Sequence, residues 1–227
     1  MAAIHIPMPA LTLRAGRQAL AHIRKNGLQP ADVHMIPGAA GGPKALGIQG
    51  LDLALFGDWL PRAAQPRSLI GASIGSWRFA SACLPDPVAG LRNLGELYSA
   101  QRFPKGISIN RISQRCATML DDLLGEHTDS ILANPLYRLN IVVVKSLGLL
   151  RHDSHARLGL GLGGVIGANI LGRRHLKRFF ERVILHDPRQ RPPLADFSDF
   201  VSSHVSLTAE NLRPALLASG SIPLVME

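Results

Sequence analysis

The chain has 227 residues, 46% of them hydrophobic and 18% charged, and no low-complexity tract, which excludes a disordered chain and supplies enough apolar material for one sizeable core. Lys and Arg number 25 against 16 Asp and Glu, a formal charge of +9 that favours anionic partners, while 5% aromatics leaves few stacking platforms, so nucleic acid is not an expected partner. The two cysteines, Cys83 and Cys116, lie far apart, which excludes a disulfide framework or a paired-cysteine metal site and fits a reducing compartment.

Residues 1–14 lack a basic start followed by an apolar run, so no secretory signal is expected and the expected location is the cytoplasm. Thr12 is placed to cap a first helix that runs to Asn26 and stops at Gly27, with Leu13, Leu20 and Ile23 as its apolar stripe. Residues 33–36 (VHMI) read as a short strand that ends in the Gly-rich run 37–43 (PGAAGGP). After Pro43 the pattern turns helical, and proline suits a first helical turn because its missing N–H would be unpaired there.

Residues 67–72 (RSLIGA) read as a second, buried strand, and 74–84 as the helix that follows Ser73. Helices are expected at 88–100 and 109–124, the latter with Ile109, Ile112, Cys116, Met119, Leu120 and Leu123 at helical spacing. Residues 137–144 are strand-like, 156–186 read as one or two helices, and 187–193 as a loop. A strand at 201–207 and a helix from a Thr208 cap to Leu217 complete the chain. The longest apolar stretch, 158–172, has six glycines and is shorter than the roughly 20 residues a membrane span needs, so a buried helix is expected. Strands alternating with helices, without a linker or repeat, predict one α/β domain with a mainly parallel sheet between helical layers.

Gly71-Ala72-Ser73-Ile74-Gly75 fits the pattern G-x-S-x-G of a nucleophile elbow. The serine must stand on a tight, strained strand-to-helix turn to expose its Oγ, and the positions two before and two after crowd each other so that glycine suits both. The helix that follows points its N-terminus at the reaction centre, which favours developing negative charge. The pentapeptide also fits a tight turn with no chemistry, so a second element is needed. Attack on an ester carbonyl requires N–H donors for the oxyanion, and a glycine-rich loop leading into a helix supplies them. Gly41 and Gly42 lie in such a loop, about 30 residues before Ser73, and a right-handed βαβ crossover would bring both loops to one edge of the sheet. Lys44 is followed by Ala45 rather than Ser or Thr, so the loop is not a nucleotide P-loop.

Three blocks together resemble the patatin-like phospholipase family. Residues 40–45 (AGGPKA) are similar to its D-G-G-G-x-[RK]-G oxyanion loop, 71–76 (GASIGS) to its elbow, and 218–223 (ASGSIP) to its A-S-x-A-x-P segment, in the same order and spanning most of the chain. The resemblance implies a three-layer α/β/α fold and lipid acyl hydrolysis. In that reading Ser73 is the nucleophile, N–H groups of Gly41, Gly42 and Ile74 form the oxyanion hole, and no metal or organic cofactor takes part. Ala39, Ala40 and Ala45 depart from the family's loop, standing where it has Asp and glycines. The resemblance also implies a Ser–Asp dyad whose Asp sits in an Asp-Gly-[Gly/Ala] segment after the third block. The chain has no Asp-Gly dipeptide and runs only four residues past Pro223 (223 to 227), so the expectation is a sequence truncated before its general base. Alternatives are a Ser-His-Asp esterase, for which no histidine stands in a recognisable context, and a non-catalytic lipid-binding domain, which the three alanines would suit.

Other features carry less. His152 and His155 have metal-ligand spacing, but Arg151 and Arg157 beside them indicate a solvated loop. Gly159-x-Gly161-x-x-Gly164 formally fits a dinucleotide fingerprint, yet no strand immediately precedes it, and close helix packing is the preferred reading. Arg173, Arg174, Lys177 and Arg178 beside Leu176, Phe179 and Phe180 could dock on an anionic membrane surface. The simpler reading is a solvated helix face with both phenylalanines in the core. Lys44 could hold the oxyanion loop or meet a phosphate headgroup, or simply face solvent.

Overall fold

The computed structural model describes residues 11–151 and 155–221. Helix α1 (Arg17–Asn26) begins at Gly16, not at Thr12, and ends as expected at Gly27, whose φ of 73° favours glycine. Strand β1 (Met35–Gly38) lies two residues later than the sequence pattern placed it, because its C-terminal half carries the pairing with the next strand. The segment after Pro43 is not α-helical at first. Residues Gly42–Ile48 form a 3-10 helix, and α2 (Gln49–Ala54) then runs into a wider π turn over Leu55–Trp59. Strand β2 (Arg67–Ala72) and helix α3 (Ile74–Ala82) meet at Ser73.

Helix α4 (Pro87–Ala100) takes Pro87 as its first residue behind an Asp86 cap, so the proline opens this helix, the preceding one having already ended at Ala82. Helix α5 (Ile109–Leu124) has the expected bounds, with Ser108 as its cap. The short helix α6 (Thr128–Ala133) has no counterpart in the sequence reading. Strand β3 (Tyr137–Ser146) is followed by helix α7 (His155–Leu171) and a 3-10 helix over Arg173–Arg178. Residues Phe180–His186 then form strand β4, which corrects the expectation of helix through residue 186. Their run F-E-R-V-I-L-H satisfies a strand or a helix turn equally well, and the open edge of β3 decides for the strand. Strand β5 (Ser202–Ser206) and helix α8 (Ala209–Gly220), capped by Thr208 with Asn211 reciprocating, follow as expected.

The strands form one sheet in the order β1-β2-β3-β4-β5, parallel except for the β3–β4 pair. The protein is thus α/β, with a mainly parallel sheet flanked by helices, compatible with the expected three-layer arrangement. Side chains alternate across the sheet. Leu69, Leu139 and Ile141 enter the main core, where they join Trp77, Phe79 and Leu216 from the helices laid over the sheet. Ser68, Ile70 and Asn140 occupy the opposite face. There Asn140 Nδ2 donates to Ser68 Oγ, and Gln190 Nε2 folds back to the same oxygen, each at 3.0 Å. Buried Arg67 closes the far end of β2 by donating to the carbonyls of Pro30, Val33, Ala63 and Gln65, so its charge is well solvated by backbone dipoles.

The register places the loops. Gly38 of β1 pairs with Gly71, and Ala72 of β2 pairs with Val142. The C-terminal ends of β1, β2 and β3 therefore share one edge, and the Gly-rich loop and Ser73 emerge from it side by side.

Candidate active site

Ser73 has φ 54° and ψ −130°, and it is one of only two non-glycine residues with positive φ among those described. Such a backbone costs roughly 1–3 kcal/mol and persists only when its surroundings hold it. A Cβ on Gly71 would stand 2.4 Å from the Ser76 backbone nitrogen, so the turn closes only over glycine. Gly75 has a different reason from mutual crowding with Gly71. Its Cβ would stand 2.3 Å from the carbonyl oxygen of Gly38, so it is the close approach of α3 to β1 that requires glycine there. That approach brings the helix behind the serine against the start of the Gly-rich loop.

Two further devices hold the turn. The Ser73 N–H donates to Ser219 Oγ at 2.8 Å, and Ser219 Oγ donates in turn to the Val142 carbonyl at 2.7 Å. Ser219 thereby pins the elbow to β3, which gives a physical role to the second residue of the 218–223 block. Ile222 and Pro223 of that block lie outside the described residues. On the other side of the turn, the Ser73 carbonyl accepts from Ser76 N–H at 2.9 Å and from Ser76 Oγ at 2.6 Å.

The loop is fixed to the elbow helix from below. Asp52 of α2 accepts two hydrogen bonds from Arg78 of α3, at 2.6 and 2.5 Å, and their side chains are only 4% and 11% exposed. Gln49 of the same helix donates to the Leu91 carbonyl at 2.8 Å, over Gly95 of α4, where a Cβ would strike its amide. The segment that carries the Gly-rich loop is thus tied to α3 and α4 by polar contacts that the apolar periodicity does not report.

Ala40, Gly41, Gly42, Ser73 and Ile74 line one cleft of ≈ 490 Å³. Gly42 and Ile74 are each the first residue of a helical segment, where the N–H has no intrahelical acceptor. Gly42 also has a φ of 52°, a conformation that favours glycine. The rest of the cleft is largely apolar: Trp77, Tyr98, Phe103, Ile112, Cys116 and Met119, closed at one side by Ser219, Gly220 and Ser221. Sequence reasoning missed the wall from α4, α5 and the loop between them. The stripe on α5 was visible, but its period does not separate Met119 and Leu120, which are buried, from Ile112 and Cys116, which are half-buried beside the cleft.

Burial raises the thiol pKa of Cys116 and, together with the neighbouring Cys116, the phenol pKa of Tyr98. Both groups stay protonated in neutral solution, so Cys116 is no competitor to Ser73 as nucleophile. No His, Asp or Glu lines the cleft among the described residues. His186 and His204 face each other across β4 and β5 with ring centroids 6.5 Å apart, and neither lines the cleft. Lys44 is exposed and does not line the cleft; it touches the loop through its own N–H, which donates to the Gly41 carbonyl at 3.3 Å. His152 and the side chain of His155 lie outside what is described, and no group of metal-ligating side chains occurs among the described residues.

Comparison of the chain with protein-family models, with curated proteins and with solved structures finds no match.

Proposed function

We propose that this chain is a lipid acyl hydrolase, a serine-dependent enzyme that cleaves carboxylic esters and resembles the patatin-like phospholipases. The observation that carries the reading is the strained backbone of Ser73 (φ 54°, ψ −130°) beside Gly41 and Gly42 at the head of one apolar cleft. Backbone strain of this kind clusters at functional sites, and the cleft suits an acyl chain better than a polar substrate.

In this reading Ser73 Oγ attacks the ester carbonyl carbon, and the carbonyl electron pair moves onto oxygen. The N–H groups of Gly41, Gly42 and Ile74 receive that oxyanion, and losing one such donor costs roughly a hundred- to a thousand-fold in rate. The C–O bond to the alcohol then breaks, the alcohol leaves with a proton, and an acyl-enzyme on Ser73 remains for water to hydrolyse to a carboxylic acid. The resemblance assigns the proton to an Asp in an Asp-Gly-[Gly/Ala] segment, which residues 1–227 do not contain.

The absence of a carboxylate or imidazole from the cleft's described lining favours one second reading, a non-catalytic lipid-binding domain on the same scaffold. A fluorophosphonate probe separates the two. It is expected to label Ser73, and Ser73→Ala is expected to lose both labelling and hydrolysis of p-nitrophenyl butyrate. Labelling that survives Ser73→Ala would remove Ser73 from the mechanism.

A further inference from the structure

Helix α7 was expected to be buried, but it lies largely on the surface. Its main contacts are with the 3-10 turns on either side, Gly148–Arg151 and Arg173–Arg178. Glycine makes that attachment possible. A Cβ on Gly161 would stand 2.7 Å from Leu150 Cδ2, and one on Gly164 would stand 3.1 Å from the Phe179 ring. Outside those contacts the helix is open: Leu160, Ile166, Ile170 and Leu171 are 72%, 63%, 80% and 77% exposed. No charged residue occurs between Arg157 and Arg173, so 15 consecutive positions offer water nothing ionic. An apolar face of this kind on a folded protein marks a contact surface.

The basic turn after the helix identifies the partner. Arg173, Arg174, Lys177 and Arg178 are all exposed, and among the described residues none is paired with a carboxylate. An apolar helix face continued by unpaired cations is complementary to an anionic lipid surface, with hydrocarbon to take the side chains and headgroups to take the charge. A protein partner would have to supply both features. The helix cannot serve as a span, because no helix among the described residues is long and apolar enough to cross a membrane.

Topology relates this face to the cleft. Val142 of β3 pairs with Ala72, next to the elbow, and β3 then continues to Ser146, which pairs with Phe180 at the start of β4. At about 3.3 Å per residue, β3 extends roughly 13 Å past that pairing before α7 begins. The whole β3–α7–β4 connection therefore stands at the edge of the sheet from which Ser73 emerges. We propose that α7 and the Arg173–Arg178 turn dock this edge of the molecule onto an anionic bilayer, so that ester substrate reaches the cleft from the membrane rather than from water. The docking rests on α7 and its basic turn; only the delivery of substrate rests on the acyl-hydrolase reading.

The test is co-sedimentation of the whole chain with vesicles of phosphatidylcholine alone or with an equimolar share of phosphatidylglycerol. Binding is expected to the anionic vesicles only and to fall with added salt. Each cation near such a surface strengthens partitioning roughly fivefold, so Arg173→Gln, Arg174→Gln, Lys177→Gln and Arg178→Gln together should weaken it by roughly several hundred-fold. Replacing the three arginines by lysine should preserve binding, and Ile166→Asp with Ile170→Asp should abolish it. These positions are exposed, so an unchanged circular dichroism melt is expected for each variant. Equal binding to neutral vesicles, binding by the four-Gln variant equal to the parent's, or no binding by the parent would overturn the proposal. So would a dimeric parent that Ile170→Asp renders monomeric, since the face would then belong to a second copy. Ser73→Ala should bind vesicles like the parent; if the fluorophosphonate fails to label Ser73 while vesicle binding persists, the hydrolase reading falls and the docking stands.

Discussion

Ser219→Ala removes one oxygen and two hydrogen bonds, and it tests how the elbow is held. Ser219 Oγ accepts from the Ser73 N–H at 2.8 Å and donates to the Val142 carbonyl at 2.7 Å, so it is the link between the strained residue and the neighbouring strand. A hydrogen bond contributes about 0.5–1.5 kcal/mol net, and the two partners left behind lose their acceptor and donor together. Ser219 is half-buried beside the cleft, so water can replace part of what is lost and the total falls to about 1–2 kcal/mol. For a chain of this size that is a fall in melting temperature of about 2–8 °C. Urea denaturation should show a lower midpoint with an unchanged slope, because no additional surface is exposed. Fluorophosphonate labelling of Ser73 should slow as well, because the N–H that fixes the turn is released. Ser99→Ala, on the exposed side of α4, serves as the control and should change neither. A destabilisation below about 0.3 kcal/mol, with labelling unaltered, would refute the claim that Ser219 holds the elbow.

Ser73→Gly should raise stability by about 1 kcal/mol, because glycine accepts a φ of 54° without strain, and in the acyl-hydrolase reading it should also abolish ester hydrolysis; a less stable variant in a thermal melt would contradict the strain. Gly75→Ala should cost about 1–3 kcal/mol or more and reduce labelling, since its Cβ would stand 2.3 Å from a backbone oxygen that cannot move aside without displacing β1. Asp52→Ala should cost about 3–5 kcal/mol by leaving Arg78 buried without its partner. Asp52→Leu combined with Arg78→Met should recover most of that in urea melts, and a double variant as unstable as the single one would show that the ion pair is not the cause.

The resemblance read from three short blocks and the geometry that joins them stand on different footings. Gly71, Ser73 and Gly75 announce the tight turn in the sequence because the chemistry of a strained serine demands small neighbours at fixed spacing. The contact that makes Gly75 necessary, with Gly38 some 37 positions earlier (75 − 38), is a tertiary one and leaves no local signal. The same holds for Ser219, which lies 146 positions from the residue it restrains. Asp52 and Arg78 also read as ordinary helix-surface charges until two helices are placed side by side.

The sequence by itself determined the α/β alternation, the bounds of β2 and α5, and the glycine-flanked serine between a strand and a helix, because these rest on periodicity and turn chemistry within a few residues. Tertiary structure decided the rest. It made a strand of residues 180–186, where a short apolar run suits either conformation and only the open edge of β3 chooses. It also put α7 at the surface, because an apolar, glycine-rich segment reads the same whether protein, lipid or water lies beyond it, and burial depends on what the remaining elements leave uncovered. It assembled the cleft from α3, α4, α5 and the end of α8, since a cavity is a relation between faces that no single segment encodes.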